Sequence, residues 1–138
     1  MTLSELANTK WVGRGELWLD PLGNEAKLCD CRIELVEGAV VYHWSHDNKP
    51  HTGKLALRGD GADFSDSFHS PTPMACVAVP NQWGLVDVFG TWRAGDGPDW
   101  GWRLILAHRP SDELVLQMMI VKPWGEEGRA VRMICKRA

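Results

Sequence analysis

Residues 25–45 read EAKLCDCRIELVEGAVVYHWS, and apolar and polar side chains alternate along them. Cys29, Cys31, Ile33 and Leu35 fall on one face, with Asp30, Arg32 and Glu34 between them. This period of two marks a half-buried strand, because successive Cβ atoms of an extended chain point to opposite sides. Glu37-Gly38 interrupts the run with a tight hairpin signal, and 39–45 continues beyond it. The stretch is predicted as two antiparallel strands.

The same pattern extends in both directions. Upstream, Trp11, Gly13, Gly15, Leu17 and Leu19 share a face of 11–20, opposed by Arg14, Glu16 and Asp20, and 21–24 reverses the chain. Downstream come a loop at 46–50, a strand at 51–58 with Gly53, Leu55 and Leu57 on one face, and a turn at 59–61. The next run, 62–69, is mostly polar, relieved by Phe64 and Phe68, and Ser70-Pro71-Thr72-Pro73 is expected to break it. Strands at 75–79, 85–93, 100–109, 114–121 and 129–137 complete the set. Only 3–8 reads as helical, with Ser4 as its cap.

About ten strands joined by short links must run antiparallel, since parallel crossovers need a dozen residues or more. Closing such a meander on itself buries one face and removes the exposed edges. The expectation is an all-β, up-and-down antiparallel barrel of about ten strands with a short N-terminal helical turn. It forms one domain over 1–138, and a two-sheet sandwich is the alternative.

Composition removes several function classes. The chain has 138 residues and a formal charge of −3, so it lacks the basic footprint that phosphate binding needs, and nucleic acid is not an expected partner. No stretch approaches eighteen apolar residues and no secretory signal opens the chain, so neither a membrane partner nor export is expected. Cys29, Cys31, Cys76 and Cys135 have poor zinc spacing and read as buried free thiols, which suits a cytoplasmic location. A nucleophile elbow, a phosphate-cradling glycine loop and an H-E-x-x-H helix are absent, so no cofactor or metal is expected.

Trp11-Val12-Gly13-Arg14-Gly15, just after a helical turn, resembles the opening strand of calycins, the lipocalins and fatty-acid-binding proteins among them. The W-x-G-x-G spacing is similar to that of haem-binding nitrobindin barrels, although the glycine usual two residues before the tryptophan is Thr9 here. Trp100-Gly101-Trp102-Arg103 through Pro123-Trp124-Gly125-Glu126 looks like uncharacterised bacterial lipocalin-like proteins. The resemblance implies that Trp11 plugs one end of the barrel against Arg137 or Lys136. It also implies a small hydrophobic or amphipathic ligand inside, with haem as an alternative. The proximal histidine of the haem barrels has no counterpart in the last strand; Cys135 could ligate iron and His108 lies on an earlier strand, but neither matches it residue for residue.

The candidate ligand-binding residues follow from alternation. If Trp102, Leu104 and Leu106 face inward, His108 follows them and Arg103 faces out; a register shifted by one would turn Arg103 inward to pin a carboxylate. Either Tyr42 or His43 faces the interior, Asp66 shares the face of Phe64 and Phe68, and Gln117 alternates with the Met118 face. Trp11 and Trp92 complete the set; with eight tryptophans in the chain, each carrying roughly 150–250 Å² of surface, the lumen is either lined or filled by rings. The enzymatic alternative is an acid–base isomerase, cyclase or decarboxylase working through Tyr42 or His43, His108 and Asp66. His43, His46 and His51 with Asp47 form a loose cluster expected to be solvent-exposed, and Trp18 and Trp83 are candidates for a homodimer patch.

Overall fold

The computed structural model describes residues 2–20, 23–80, 84–93 and 95–138. A helical turn, α1 (Leu3–Leu6), precedes ten strands: β1 (Thr9–Trp18), β2 (Ala26–Val36), β3 (Ala39–His46), β4 (Lys49–Arg58), β5 (Gly61–Asp66), β6 (Ser70–Ala78), β7 (Val86–Arg93), β8 (Asp99–His108), β9 (Glu113–Val121) and β10 (Glu127–Arg137). Every strand pairs antiparallel with its chain neighbours, and β1 pairs with β10 to close the barrel. Among the described residues no helix is long and apolar enough to cross a membrane.

Closure at β1 depends on glycine. Gly13 pairs with Cys31 on β2 and with Cys135 on β10. A Cβ there would overlap the Ile134 carbonyl oxygen, so β1 approaches β10 more closely than any side chain permits. The bare backbone also lets Cys31 and Cys135, from strands that do not pair, bring their Sγ atoms to 3.6 Å above it.

Trp11 plugs the end covered by α1. It is fully buried, and the Arg137 guanidinium lies 4.5 Å from its ring centre. Its Nε1–H donates to Thr9 Oγ1 at 2.9 Å, and that hydroxyl donates to the Leu6 carbonyl at 2.5 Å. One polar relay thus ties the plug to the helical turn. Arg137, not Lys136, is the basic partner.

Above the plug the lumen is packed, with Ile33, Val40, Leu55, Leu104, Leu106, Leu116 and Met133 meeting from opposite walls. Side chains of the described residues therefore fill the middle of the barrel, and a pocket opens toward the far end.

Several local expectations change. Thr2, not Ser4, caps α1, its Oγ1 accepting the Glu5 N–H at 3.3 Å. The 46–50 loop shrinks to Asp47-Asn48, because both residues adopt positive φ (49° and 61°) and make a tight hairpin that keeps His46 and Lys49 paired. Ser70-Pro71-Thr72-Pro73 does not break the chain: β6 begins at Ser70, and the prolines sit in a bulge where Asp66↔Ser70 and Phe64↔Met74 bracket three residues against Ser65. Phe68 lies beyond β5 in the turn and not on its face. Trp18 is buried beneath the Arg129 and Arg132 guanidinium groups, so it offers no exposed dimer patch. Trp83 and part of the 21–24 reversal lie outside the described residues.

Candidate functional site

The site grows from the β5–β6 turn. Asp66 ends β5, and its Oδ1 accepts the backbone N–H groups of Phe68 at 2.8 Å and His69 at 3.0 Å. This Asx-type turn fixes where the Phe68 and His69 side chains stand. Asp66 Oδ2 accepts the Tyr42 hydroxyl at 2.5 Å, and His69 Nδ1 faces Asp66 Oδ1 at 3.5 Å. The Tyr42 ring reaches Asp66 by crossing Gly53, which pairs with both residues and has no Cβ to block the ring.

Burial pushes the Asp66 carboxyl up, but the nearby His69 ring and hydrogen bonds from the Tyr42 hydroxyl and the His69 N–H outweigh it and hold it at about 2. Burial and the neighbouring Asp66 charge push the Tyr42 hydroxyl well above its ordinary value. At neutral pH the pair is therefore a carboxylate and a neutral phenol.

A pocket of about 770 Å³ opens beside this network. Phe64, Phe68, Trp92, Trp102, Met74 and Ile120 supply its apolar wall, and His69, Ser70, Thr72 and Thr91 its polar atoms. Its position follows from the sheet. Among the described residues β6 and β7 pair only at Val77↔Phe89 and Ala78↔Val88, so the wall parts between the start of β6 and the end of β7. The proline-containing bulge suits that unpaired edge, because Pro71 and Pro73 have no N–H to leave unsatisfied.

His69 sits between two indoles, its ring centre 5.6 Å from Trp44 and 5.2 Å from Trp102. The buried Nε1 atoms of Trp44 and Trp102 and the buried Nδ1 of His69 have no hydrogen-bond partner among the described residues. A file of rings continues outward from Trp102 to Trp92, Trp100 and the exposed Trp124, with centre separations of 6.4, 6.3 and 6.1 Å.

Of the sequence candidates, Tyr42, Asp66, Trp92, Trp102 and Met118 gather here; Met118 Sδ lies 4.0 Å from the Tyr42 hydroxyl. Trp11 lies at the opposite end. His43 points outward, 3.2 Å from Thr52 Oγ1, into a separate outer hollow of about 630 Å³. Arg103 also points out, forking onto Asp87 at 2.8 and 3.0 Å, which settles the register that left it open. Gln117 is half-buried on the outer face between Ile105 and Arg132. His108 stands at the plugged end, 2.7 Å from Asp112 and edge-on to Trp11. Because Cys135 meets Cys31 under β1, neither His108 nor Cys135 supplies a haem ligand to this pocket. The histidines expected in solvent are half-buried: His51 stacks on Trp44 at 4.6 Å and bonds Ser67 Oγ at 2.9 Å.

Sequence reading missed His69, Trp44 and Met74. The signal for His69 was the Asp66-x-x-His69 spacing just before two prolines, which an Asx turn explains; the run was read instead as continuous strand to residue 69. Among the described residues no group of three His, Cys, Asp or Glu side chains is placed to hold a metal ion. Comparison with protein-family models and with curated protein sequences finds no match to this chain.

Proposed function

We propose that the protein is a lipocalin-like barrel of the calycin kind that binds a small amphipathic, ring-containing molecule in the pocket between β6 and β7. The observation that carries this reading is the pocket itself. Its volume falls within the roughly 300–1,000 Å³ of small-molecule sites, and it combines an aromatic wall with a few convergent polar groups. A packed lumen confines the ligand to this end, and the parted wall gives it a route in. Trp92 and Trp102 provide flat faces for stacking, which explains why rings suit the site better than a flexible chain.

Binding is tested by titrating the protein with an anilinonaphthalene sulfonate dye while following tryptophan emission, and by native mass spectrometry of protein taken from cells. Saturable quenching that is lost in Trp92→Ala, with the fold intact by circular dichroism, is the expected result. Dye uptake that is equal in wild type and Trp92→Ala, or no uptake and no co-purified molecule, overturns it.

A further inference from the structure

Among the described residues His69 is the one titratable side chain on the pocket wall, and it is held in a specific orientation. Its backbone N–H is bound by Asp66, its ring lies between Trp44 and Trp102, and its Nδ1 faces the Asp66 carboxylate. Nδ1 is buried 3.5 Å from the Asp66 carboxylate and makes no hydrogen bond among the described residues, so the anion favours the proton of the neutral ring on Nδ1 and the lone pair on Nε2 by charge alone. The carboxylate is itself fixed by three donors: the Tyr42 hydroxyl and the Phe68 and His69 N–H groups. A base held between two indoles, next to a buried carboxylate and beside an apolar pocket, suits general-base chemistry.

We propose that His69 takes the proton of a weakly acidic ring hydroxyl, a phenol or an enol, seated in this pocket; the proposal rests on the pocket being a ligand site. The O–H bond of the ligand breaks, its electron pair stays on oxygen, and the proton forms the Nε2–H bond. The product is a ligand oxyanion facing an imidazolium, whose other N–H points at Asp66. Total charge is unchanged, so no ion need enter or leave. Trp102 strengthens the case from a separate direction, because it lines the pocket and its buried Nε1–H lacks an acceptor that a ligand oxygen would supply.

The other titratable groups around His69 are Tyr42, behind Asp66 on β3, and two more histidines. His51 on β4 shares Trp44 and Phe68 with His69, and His46 on β3 packs against Phe68 at 5.8 Å. Asp66 lies 3.5 Å from the ring, and its lowered pKa keeps it charged throughout the range in which phenols and imidazoles exchange protons.

The probe is meta-nitrophenol, whose ionised form absorbs visible light, with meta-nitroanisole as the isostere that has no proton to give. On wild-type protein near neutral pH the phenolate band is expected to appear on binding, with the bound phenol ionising at least about tenfold more readily than in water. Calorimetry in two buffers of different ionisation enthalpy is expected to show no net proton release, since the proton stays on the protein. His69→Gln should abolish the band while still binding meta-nitroanisole, and Asp66→Asn should weaken it. A band that persists in His69→Gln, or one proton released to buffer by the wild type, overturns the role of His69. If both probes bind and no band forms, the proton transfer is overturned and the binding reading stands. If neither binds, the pocket reading falls as well.

Discussion

Tyr42 and Asp66 sit on strands that never pair, yet the phenol of one donates to the carboxylate of the other at 2.5 Å across Gly53 of the intervening strand. Cys31 and Cys135 meet in the same way across Gly13. In both places the missing Cβ opens a gap in the inner face of the barrel, and side chains from the flanking strands close over it.

The first prediction concerns that gap. In Gly53→Ala the new methyl would overlap Tyr42 Cζ and Oη, so the ring must move and the Asp66 bond must lengthen. Overpacking of this kind costs about 1–3 kcal/mol. Tyr42→Phe leaves a buried carboxylate short of one donor, which costs about the same. Because the two changes damage the same bond, the double variant should lose less than the sum of the singles in urea denaturation. Additive losses would mean that the ring and the carboxylate are not coupled.

The second prediction follows from the acidity of Asp66. Its folded value of about 2 lies below the ordinary 3.8, so it stabilises the fold above about pH 4 and ceases to do so as pH falls through 2. The depression corresponds to about 2 kcal/mol at neutral pH. Wild type should exceed Asp66→Asn by that order near pH 7, and the two stability curves should converge near pH 2. Parallel curves across this range would show that the carboxylate charge is not what stabilises the turn.

The third prediction separates the plug from its cover. Trp11→Ala empties a fully buried indole and should cost about 3–5 kcal/mol in chemical denaturation. Arg137→Ala removes an exposed, solvent-screened cation over the ring and should cost far less than the loss of the indole. Equal losses would mean that the guanidinium, and not the indole, holds the end shut.

Much of this was legible in the sequence, and the parts that were not share a cause. Alternation placed Ile33, Leu35, Tyr42 or its neighbour, Leu104 and Leu106 on one face, and the short links forced an antiparallel meander. Trp11 and a basic residue near the C-terminus were paired by resemblance, and the register chose Arg137. Period-two reasoning carries no information where extended structure ends, and the candidate site is built on such a place. His69 belongs to a turn set by side-chain hydrogen bonding, and the β6–β7 opening lies where those two strands stop pairing, beside the bulge of the β5–β6 ladder. His43 and Tyr42 were indistinguishable until register chose between them. His108 does share the inward face of Trp102 and Leu106, but it lies at the opposite end of the strand from the pocket, a distance that alternation does not express.

The last prediction uses the thiols to report on closure. Cys29 is half-buried, whereas Cys31, Cys76 and Cys135 are buried, so alkylation of the native protein should modify Cys29 first. Burial pushes the Cys76 thiol up to about 11, and Cys31 is pushed up by its contact with Cys135 and by burial. Contact with Cys31 pulls the Cys135 thiol down, so burial and not acidity protects it, and the buried thiols react only when the structure opens. Cys135 faces the β1–β10 seam, the pairing that turns the meander into a barrel. Its labelling, read by mass spectrometry of peptides at increasing urea, should follow global unfolding together with Cys76 on the far side. If Cys135 labels in buffer as fast as Cys29 while Cys76 stays protected, the seam opens on its own and the closed barrel is not the resting state.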